Sequence, residues 1–136
     1  YVIIHAAIEP GWHTFSMDNR ELQDAKLAGK PSLGIEKPTG IKVSGALQVT
    51  GPWMQLEPKD FSKPEIRWFT WGFENEATFA AKASKTGSGN AEVEVRAQAC
   101  ADSICKNVQI SIPFSVNQPS TPKLDTTKLT PLFAAR

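Results

Sequence analysis

Two adjacent segments of alternating apolar and polar residues constrain the fold of this chain most strongly. Over 91–99 the apolar residues are odd-numbered, and over 106–116 they are even-numbered. Side chains alternate between the two faces of a β-strand, so each segment is predicted to be a strand with one buried face. If Val95 lies opposite Ile110, the two apolar faces coincide. The sequence therefore predicts an antiparallel hairpin in this register.

The two cysteines of the chain lie at the end of this hairpin. The same register places Cys100 opposite Cys105, with the four-residue loop 101–104 between them. Opposed residues of antiparallel strands have Cα atoms about 4.5 to 5.5 Å apart, which overlaps the separation that a disulfide requires. The two thiols are therefore able to bond to each other. By the alternation, both sulfur atoms are expected on the outer face, where the cysteine of another protein could approach.

A disulfide at this position can be a structural staple or a redox pair. In the loop-entropy model a bridge that closes about six residues stabilises by about 2 kcal/mol, against about 4 to 5 kcal/mol for about a hundred residues. A structural disulfide in a sandwich more often joins the two sheets through the core. Both considerations favour a functional pair, and the staple stays open as an alternative.

The rest of the chain is typical of an all-β domain. Short alternating segments are separated by turns rich in Pro and Gly, which interrupt strands. With 40% hydrophobic residues, the 136-residue chain has enough apolar material for one core. We predict a β-sandwich of about eight strands, together with a helix-like segment over 19–28 that is also compatible with a polar loop. The predicted strands are 1–9, 12–17, 32–36, 41–49, 66–73, 77–84, 91–99 and 106–116.

Two proline-containing segments are expected to lie outside these strands. The connection 50–65 holds three prolines and is longer than a hairpin needs, which makes it a place to look for functional residues. Residues 117–136 carry three more prolines among Ser, Thr and Lys, without an apolar period. We therefore predict one domain over 1–116, followed by a Pro-rich C-terminal linker over 117–136.

Charge and ligand spacing argue against several classes of partner. A formal net charge of +1 provides no overall basic field for a nucleic acid or an anionic membrane. The spacing Cys-x4-Cys lacks the second ligand pair of a zinc ribbon, and Met17 and Met54 give no spacing evidence for copper. Nothing in the sequence brings His5 or His13 to the hairpin, so Cys-His catalysis has no support either. No metal and no other cofactor is expected.

Several segments resemble the N-terminal (alpha) domain of the thiol:disulfide interchange protein DsbD and the related DsbD-like domain family. The resemblance rests on the Gly-Trp-His sequence at 11–13 and the Cys-Ala-Asp sequence at 100–102, and it extends over most of the chain. It implies an immunoglobulin-like β-sandwich in which Cys100 and Cys105 are the redox pair of a protein-disulfide reductase. This chain has one residue fewer between its cysteines than the best-known members.

The resemblance also implies partners and a compartment. Members of the family receive electrons from a thioredoxin-like domain of the same protein, which is fed by a membrane domain, and pass them to oxidised thiol proteins of the periplasm. Cys105 corresponds to the cysteine that forms the mixed disulfide with a partner, and Cys100 corresponds to the resolving thiol. A disulfide that persists at rest independently indicates an oxidising, extracytoplasmic location.

Family members cover the disulfide with a cap loop that carries an acidic residue and a Phe. Residues 59–66 resemble this loop, which makes Phe61 the shield and Asp60 its acidic neighbour. The alternative is that Phe61 packs under the long connection as an ordinary apolar residue. The alternative for the whole chain is a non-catalytic extracytoplasmic sandwich that binds another protein and carries a structural disulfide.

Overall fold

Two antiparallel β-sheets pack against each other in the computed structural model, which describes residues 1–31, 36–117 and 124–132. A helix, α1 (Asn19–Leu27), and two short 3-10 turns, 64–66 and 126–128, accompany them. Within the described residues the strands are β1 (Val2–Ala7), β2 (His13–Phe15), β3 (Gly40–Gly45), β4 (Leu47–Val49), β5 (Met54–Leu56), β6 (Lys59–Asp60), β7 (Trp71–Glu74), β8 (Glu76–Ala81), β9 (Ala83–Lys85), β10 (Asn90–Cys100), β11 (Cys105–Ser115) and β12 (Leu129–Pro131).

The two sheets enclose the apolar core, together with a third, two-stranded sheet formed by β4 and β9. The first sheet has the strand order β1-β8-β5-β12, and the second has the order β11-β10-β2-β7-β6, with β3 also paired to β10. Val2 of β1 packs with Val93 of β10 in one core cluster, and Phe73 of β7 meets Phe79 of β8 edge to face in the other. The prediction of an all-β sandwich is confirmed, although the described residues form more strands than predicted and several of these strands are shorter.

The hairpin of β10 and β11 has the predicted register. Val95 lies opposite Ile110, and the pairing continues to Cys100 opposite Cys105. Val93 is buried as expected, but Ile110 and Ile112 are 49% and 50% exposed, so the prediction of an inward apolar face is wrong for this part of β11. The reason is that β11 ends its sheet, while the facing strand β1 packs over β10 instead.

Backbone geometry breaks two of the predicted strands. The segment 41–49 divides at Gly45, which has a φ of +82° and where a Cβ would lie 2.6 Å from the Asn90 carbonyl oxygen. Strand β3 therefore pairs with β10, whereas β4 pairs with β9. In 66–73 the strand begins only at Trp71, because a 3-10 turn with Pro64 at its start ends at Arg67, which has a φ of +56°. Of the predicted strand 32–36, residues 32–35 lie outside the described residues.

The segment 19–28 is a helix rather than a polar loop. Helix α1 ends where Ala28 takes the left-handed conformation, with a φ of 51°, just before Gly29. At its start the fully buried Asn19 accepts a hydrogen bond from the Trp71 amide (2.8 Å) and donates one to the Thr70 hydroxyl (3.2 Å). These bonds satisfy polar groups that would otherwise be costly to bury, and they fix the helix to β7.

The C-terminal segment contributes a strand to the first sheet. Leu129 is buried, and β12 pairs with β5 so that Leu129 lies opposite Leu56. The division into a domain over 1–116 and a linker over 117–136 stays a prediction, but a linker over the whole of 117–136 would omit this strand. A strand of three residues is too short to produce the alternation by which strands are recognised in a sequence.

Candidate functional site

Cys100 and Cys105 form a disulfide at the tip of the β10–β11 hairpin. Their Cα atoms are 4.1 Å apart, and the loop between them is closed by a hydrogen bond from the Ala101 amide to the Ile104 carbonyl oxygen (2.8 Å). Strand β10 is paired with β11 along its whole length, which holds the two cysteines in register. The predicted apposition of the two sulfur atoms is therefore confirmed.

The two cysteines differ in their access to solvent. Cys105 is exposed, whereas Cys100 is only 5% exposed, so the expectation that both sulfur atoms are accessible is wrong for Cys100. The outer face of β10 is covered near its end: Gln98, two residues before Cys100, is buried and accepts a hydrogen bond from the Lys37 amide (2.9 Å). The alternation in the sequence predicts the face of the sheet on which a side chain lies. It does not predict whether other segments of the chain cover that face.

A histidine lies beside the buried cysteine. His13 of β2 is paired with Cys100 on one side and with Glu74 of β7 on the other. Directly opposed residues point to the same face of a sheet. Cys105, Cys100, His13 and Glu74 therefore form a row across four neighbouring strands, which we call the cross-strand row. Beyond Glu74, the ammonium group of Lys59 on β6 lies 2.6 Å from a Glu74 carboxylate oxygen, although Lys59 is paired with Gly72 and is not a member of the row.

The sequence expectation had placed neither histidine at the hairpin. The pairing between β10 and β2 consists of the single pair Cys100 and His13, and 86 residues separate these positions in the chain. No local pattern reveals such a contact. The available signal was the Gly-Trp-His sequence at 11–13, which also carries the resemblance to the DsbD-like domains.

Phe61 contacts the cross-strand row through His13. The two rings stack with centroids 4.9 Å apart and an interplanar angle of 29°, and the Phe15 ring makes an edge-to-face contact with the histidine ring at 5.3 Å. A hydrogen bond from the Phe61 amide to the Thr70 carbonyl oxygen (2.9 Å) fixes the backbone of this residue. Phe61 thus packs on the imidazole and belongs to neither of the two core clusters.

Asp60, the predicted acidic neighbour of Phe61, has a local structural contact. It is exposed at the end of β6, and its carboxylate accepts a hydrogen bond from the Ser62 amide (2.8 Å). Such a bond between an Asp side chain and the backbone two residues later stabilises a turn. The structure therefore brings Phe61 to the row, and it gives Asp60 a contact within its own loop.

Burial lowers the pKa of His13 below its usual value of 6.5, and the nearby Glu74 carboxylate opposes this shift. The imidazole is consequently neutral at pH 7 and has a free nitrogen that can accept a proton. The ammonium group of Lys106, the residue after Cys105, lies 5.2 Å from the centre of the Trp12 ring. Among the described residues no group of three or more His, Cys, Asp and Glu side chains is arranged to hold a metal ion.

The fold is similar to that of a known periplasmic domain. The solved structure of the N-terminal periplasmic domain of ScsB from Proteus mirabilis, a DsbD-like protein, aligns over 86% of this chain with a TM-score of 0.57 and 18% sequence identity. This chain has the fold of that domain. The resemblance carried by residues 11–13 and 100–102 is thereby confirmed for the fold.

Other comparisons add no further relatives. The aligned region is 40% of the ScsB chain, so this chain spans less than half of that structure. No protein-family model and no curated protein matches the sequence. No helix within 1–31, 36–117 or 124–132 has the length and apolar character needed to cross a membrane.

Proposed function

We propose that this chain is a thiol-disulfide exchange domain of the periplasm, in which Cys100 and Cys105 pass electrons from a thioredoxin-like donor to oxidised partner proteins. The observation that supports it most is the pairing of an exposed with a buried cysteine at a hairpin tip. Exchange needs one sulfur that a partner can reach and a second that is close enough to release the partner. Two observations support the periplasmic location: the similarity to the periplasmic domain of ScsB, and the disulfide, which persists only in an oxidising compartment.

Cys105 is the sulfur at which partners enter. A donor thiolate attacks the exposed Cys105 sulfur, the Cys100–Cys105 bond breaks, and a mixed disulfide forms between donor and Cys105. The second donor thiol then attacks the donor sulfur of the mixed disulfide and releases Cys105. The donor departs as a disulfide, and this domain is now a dithiol. In the second half of the cycle the Cys105 thiolate attacks the disulfide of an oxidised partner, and Cys100 displaces the partner as a dithiol. Two electrons have then passed from donor to acceptor.

Phe61 serves as the cap residue of this cycle. Its ring packs on His13, next to Cys100, and its neighbours in the chain belong to a loop with a 3-10 turn at its tip. A docking partner must displace or slide past such an aromatic ring, which restricts exchange to proteins that provide a matching surface. Phe61→Ala is expected to increase the reaction of the dithiol with small oxidants more than its reaction with a protein partner.

The two single-cysteine variants test the assignment directly. Reduced Cys100→Ser is mixed with a thioredoxin that keeps only one active-site cysteine, activated as a mixed disulfide with an aromatic thiol, and the trapped complex is measured by non-reducing electrophoresis and mass spectrometry. Cys105 attacks the thioredoxin sulfur and the aromatic thiolate leaves, so we expect a stable complex through Cys105, because both resolving sulfurs are absent. Cys105→Ser is the matched control and is expected to trap little, because Cys100 is buried. Equal trapping by both variants would contradict the assigned order.

The reduction potential of the wild-type pair tests the function as a whole. Catalytic dithiols span about −120 to −270 mV, whereas structural disulfides of secreted proteins lie below about −300 mV. We expect a value in the catalytic range, measured by equilibration with thioredoxin and quantification of alkylated thiols. A value below the catalytic range, together with no exchange with any thioredoxin-like protein, would leave the staple as the explanation.

The second candidate function is a non-catalytic module that binds another protein. The exposed apolar side chains of Ile110 and Ile112 on the edge strand β11 favour it, because such groups are common where proteins associate. Replacing both cysteines by Ser separates the two functions. Partner binding would survive this replacement in the second candidate, and electron transfer would be lost in the first.

A further inference from the structure

The buried position of Cys100 creates a chemical difficulty for the resolving step. Cys100 must become a thiolate before it can attack a mixed disulfide at Cys105. Removal from water disfavours the charged form of a thiol, so the thiol of a residue that is only 5% exposed is a poor thiolate on its own. A proton acceptor next to this sulfur would overcome the difficulty.

His13 has the position and the chemistry of such an acceptor. It lies directly opposite Cys100 in the ladder, where Cβ atoms are about 4.5 to 5.5 Å apart and side chains share a face. The stacked Phe61 and the edge-on Phe15 fix the plane of its ring. Because burial holds the pKa of His13 below 6.5, the ring is neutral and ready to accept a proton in a neutral compartment.

One charge near His13, the Glu74 carboxylate, favours the imidazolium once it forms. Glu74 is opposite His13 on β7, and its carboxylate acts to raise the pKa of the ring. Lys59 of β6 partly neutralises that carboxylate. On the cap loop, Asp60 is bonded to the Ser62 amide, and on β11 the Lys106 ammonium group is held over Trp12.

We infer that His13 accepts the proton of the Cys100 thiol when a mixed disulfide at Cys105 is resolved, an inference that rests on the proposed exchange function. The Cys100 S–H bond breaks and its proton moves to the imidazole. The Cys100 thiolate attacks the Cys105 sulfur, the Cys100–Cys105 bond forms, and the bond from Cys105 to the oxidised partner breaks. The partner sulfur leaves with the electron pair as a thiolate, and the imidazolium returns its proton to solvent.

A chromogenic aromatic disulfide, dithiobis-nitrobenzoate, separates this step from the others. Attack by Cys105 of the reduced chain releases one coloured thiolate, and the later attack by Cys100 releases a second. Stopped-flow absorbance then records two phases as a function of pH. In the wild type we expect the second phase to rise with pH through the lowered pKa of His13 and then to level off.

His13→Phe is the decisive variant, because phenylalanine keeps an aromatic ring against Phe61 and Phe15 but accepts no proton. We expect the second phase to slow by about a hundredfold at pH 7, which is a typical contribution of a general base. In this variant the rate of the second phase should keep rising with pH up to the ordinary thiol pKa of about 8.5 or beyond. The first phase should change little. An unchanged second phase with an unchanged pH profile would overturn the inference.

Two further variants complete the experiment. His5→Phe is the matched control, since His5 lies on β1 bonded to Thr78, and it is expected to alter neither phase. Glu74→Gln changes an exposed position, so this variant is expected to fold. It still tests the role of His13 if the His13→Phe variant fails to fold. It should shift the midpoint of the second phase to lower pH and reduce its plateau, and no change in either would contradict the role of His13.

The test also distinguishes this inference from the proposed function. The aromatic disulfide reacts with any accessible dithiol, so the two phases report on His13 without a protein partner. Absence of exchange between the wild-type chain and thioredoxin would refute the proposed function while the two phases remained measurable. Normal thioredoxin exchange with a second phase insensitive to His13→Phe would refute the inference alone.

Discussion

Gly72 is the position at which a single methyl group should do most harm. It lies in β7 opposite Phe15 of β2, and a Cβ added there would lie 1.9 Å from the Thr14 carbonyl oxygen and 3.1 Å from the Phe15 Cα. Both contacts are with backbone atoms, which cannot rotate away as a side chain would. Real Cβ atoms essentially never approach within 3.0 Å, so Gly72→Ala must push β2 and β7 apart by about 1 Å or more.

The expected cost follows from this displacement. Overpacking of a well-packed site costs about 1 to 3 kcal/mol. A ladder hydrogen bond stretched by about 1 Å is no longer a hydrogen bond, and each one lost costs about 1 kcal/mol. Since β2 and β7 share three residue pairs, we expect Gly72→Ala to lower the free energy of unfolding by about 3 to 4 kcal/mol. The melting temperature should fall by about 10 °C or more.

Equilibrium urea unfolding followed by tryptophan fluorescence measures this cost. Gly40→Ala is the matched control, because Gly40 is also a strand glycine and a Cβ there meets no atom of the described residues within 4 Å. We expect the control to change stability by less than about 1 kcal/mol. A Gly72→Ala variant as stable as Gly40→Ala would refute the close contact between β2 and β7, and with it the fixed position of His13.

Three further predictions concern stability. Reducing the disulfide without any substitution should lower the free energy of unfolding by about 2 kcal/mol, since the closed loop is short; a loss above about 4 kcal/mol in urea titrations would contradict this. Burial raises the pKa of Glu36 above 4.5, so the folded state favours the protonated form of this side chain. The contribution of the protonated form to the free energy of unfolding is complete below pH 4.5 and is lost as the pH rises through the raised pKa. Glu36→Gln should therefore melt higher than the wild type at pH 7 but not at pH 4, and an equal difference at both pH values would refute this. Asn19→Ala removes the buried bonds to Thr70 and Trp71 and should cost about 2 to 4 kcal/mol, whereas the exposed Arg20→Ala should cost less than about 0.5 kcal/mol by thermal melts; similar costs would count against these bonds.

The parts of the fold that the sequence predicted are those with local, repeated signals. Alternation over 91–99 and 106–116 gave both strands, their register and the apposition of the cysteines. The helix over 19–27 was indicated by its polar start and the glycine after its end, but the same residues were also compatible with a polar loop. For the two strands the pattern extends over nine or more residues, so the signal exceeds the noise of single positions.

The parts that the sequence did not predict depend on contacts between distant segments. Burial of Gln98, two residues before Cys100, depends on the segment that contains Lys37, and exposure of Ile110 depends on where the facing sheet stops. The position of His13 depends on one residue pair between β2 and β10. None of these relations has a periodic trace in the sequence, because each involves only one or two residues.

The edge strand β11 has a consequence for self-association. Among residues 1–31, 36–117 and 124–132, no strand pairs with the outer side of this eleven-residue strand. An unpaired strand edge invites other chains to extend the sheet, which is how fibrils grow. Pro113 lies within this strand, and proline supplies no amide proton to an incoming neighbour. Pro113 therefore disfavours the addition of further strands to this side of β11. The side chains of Ile110 and Ile112 stay available for a docking protein that needs no continuous backbone pairing.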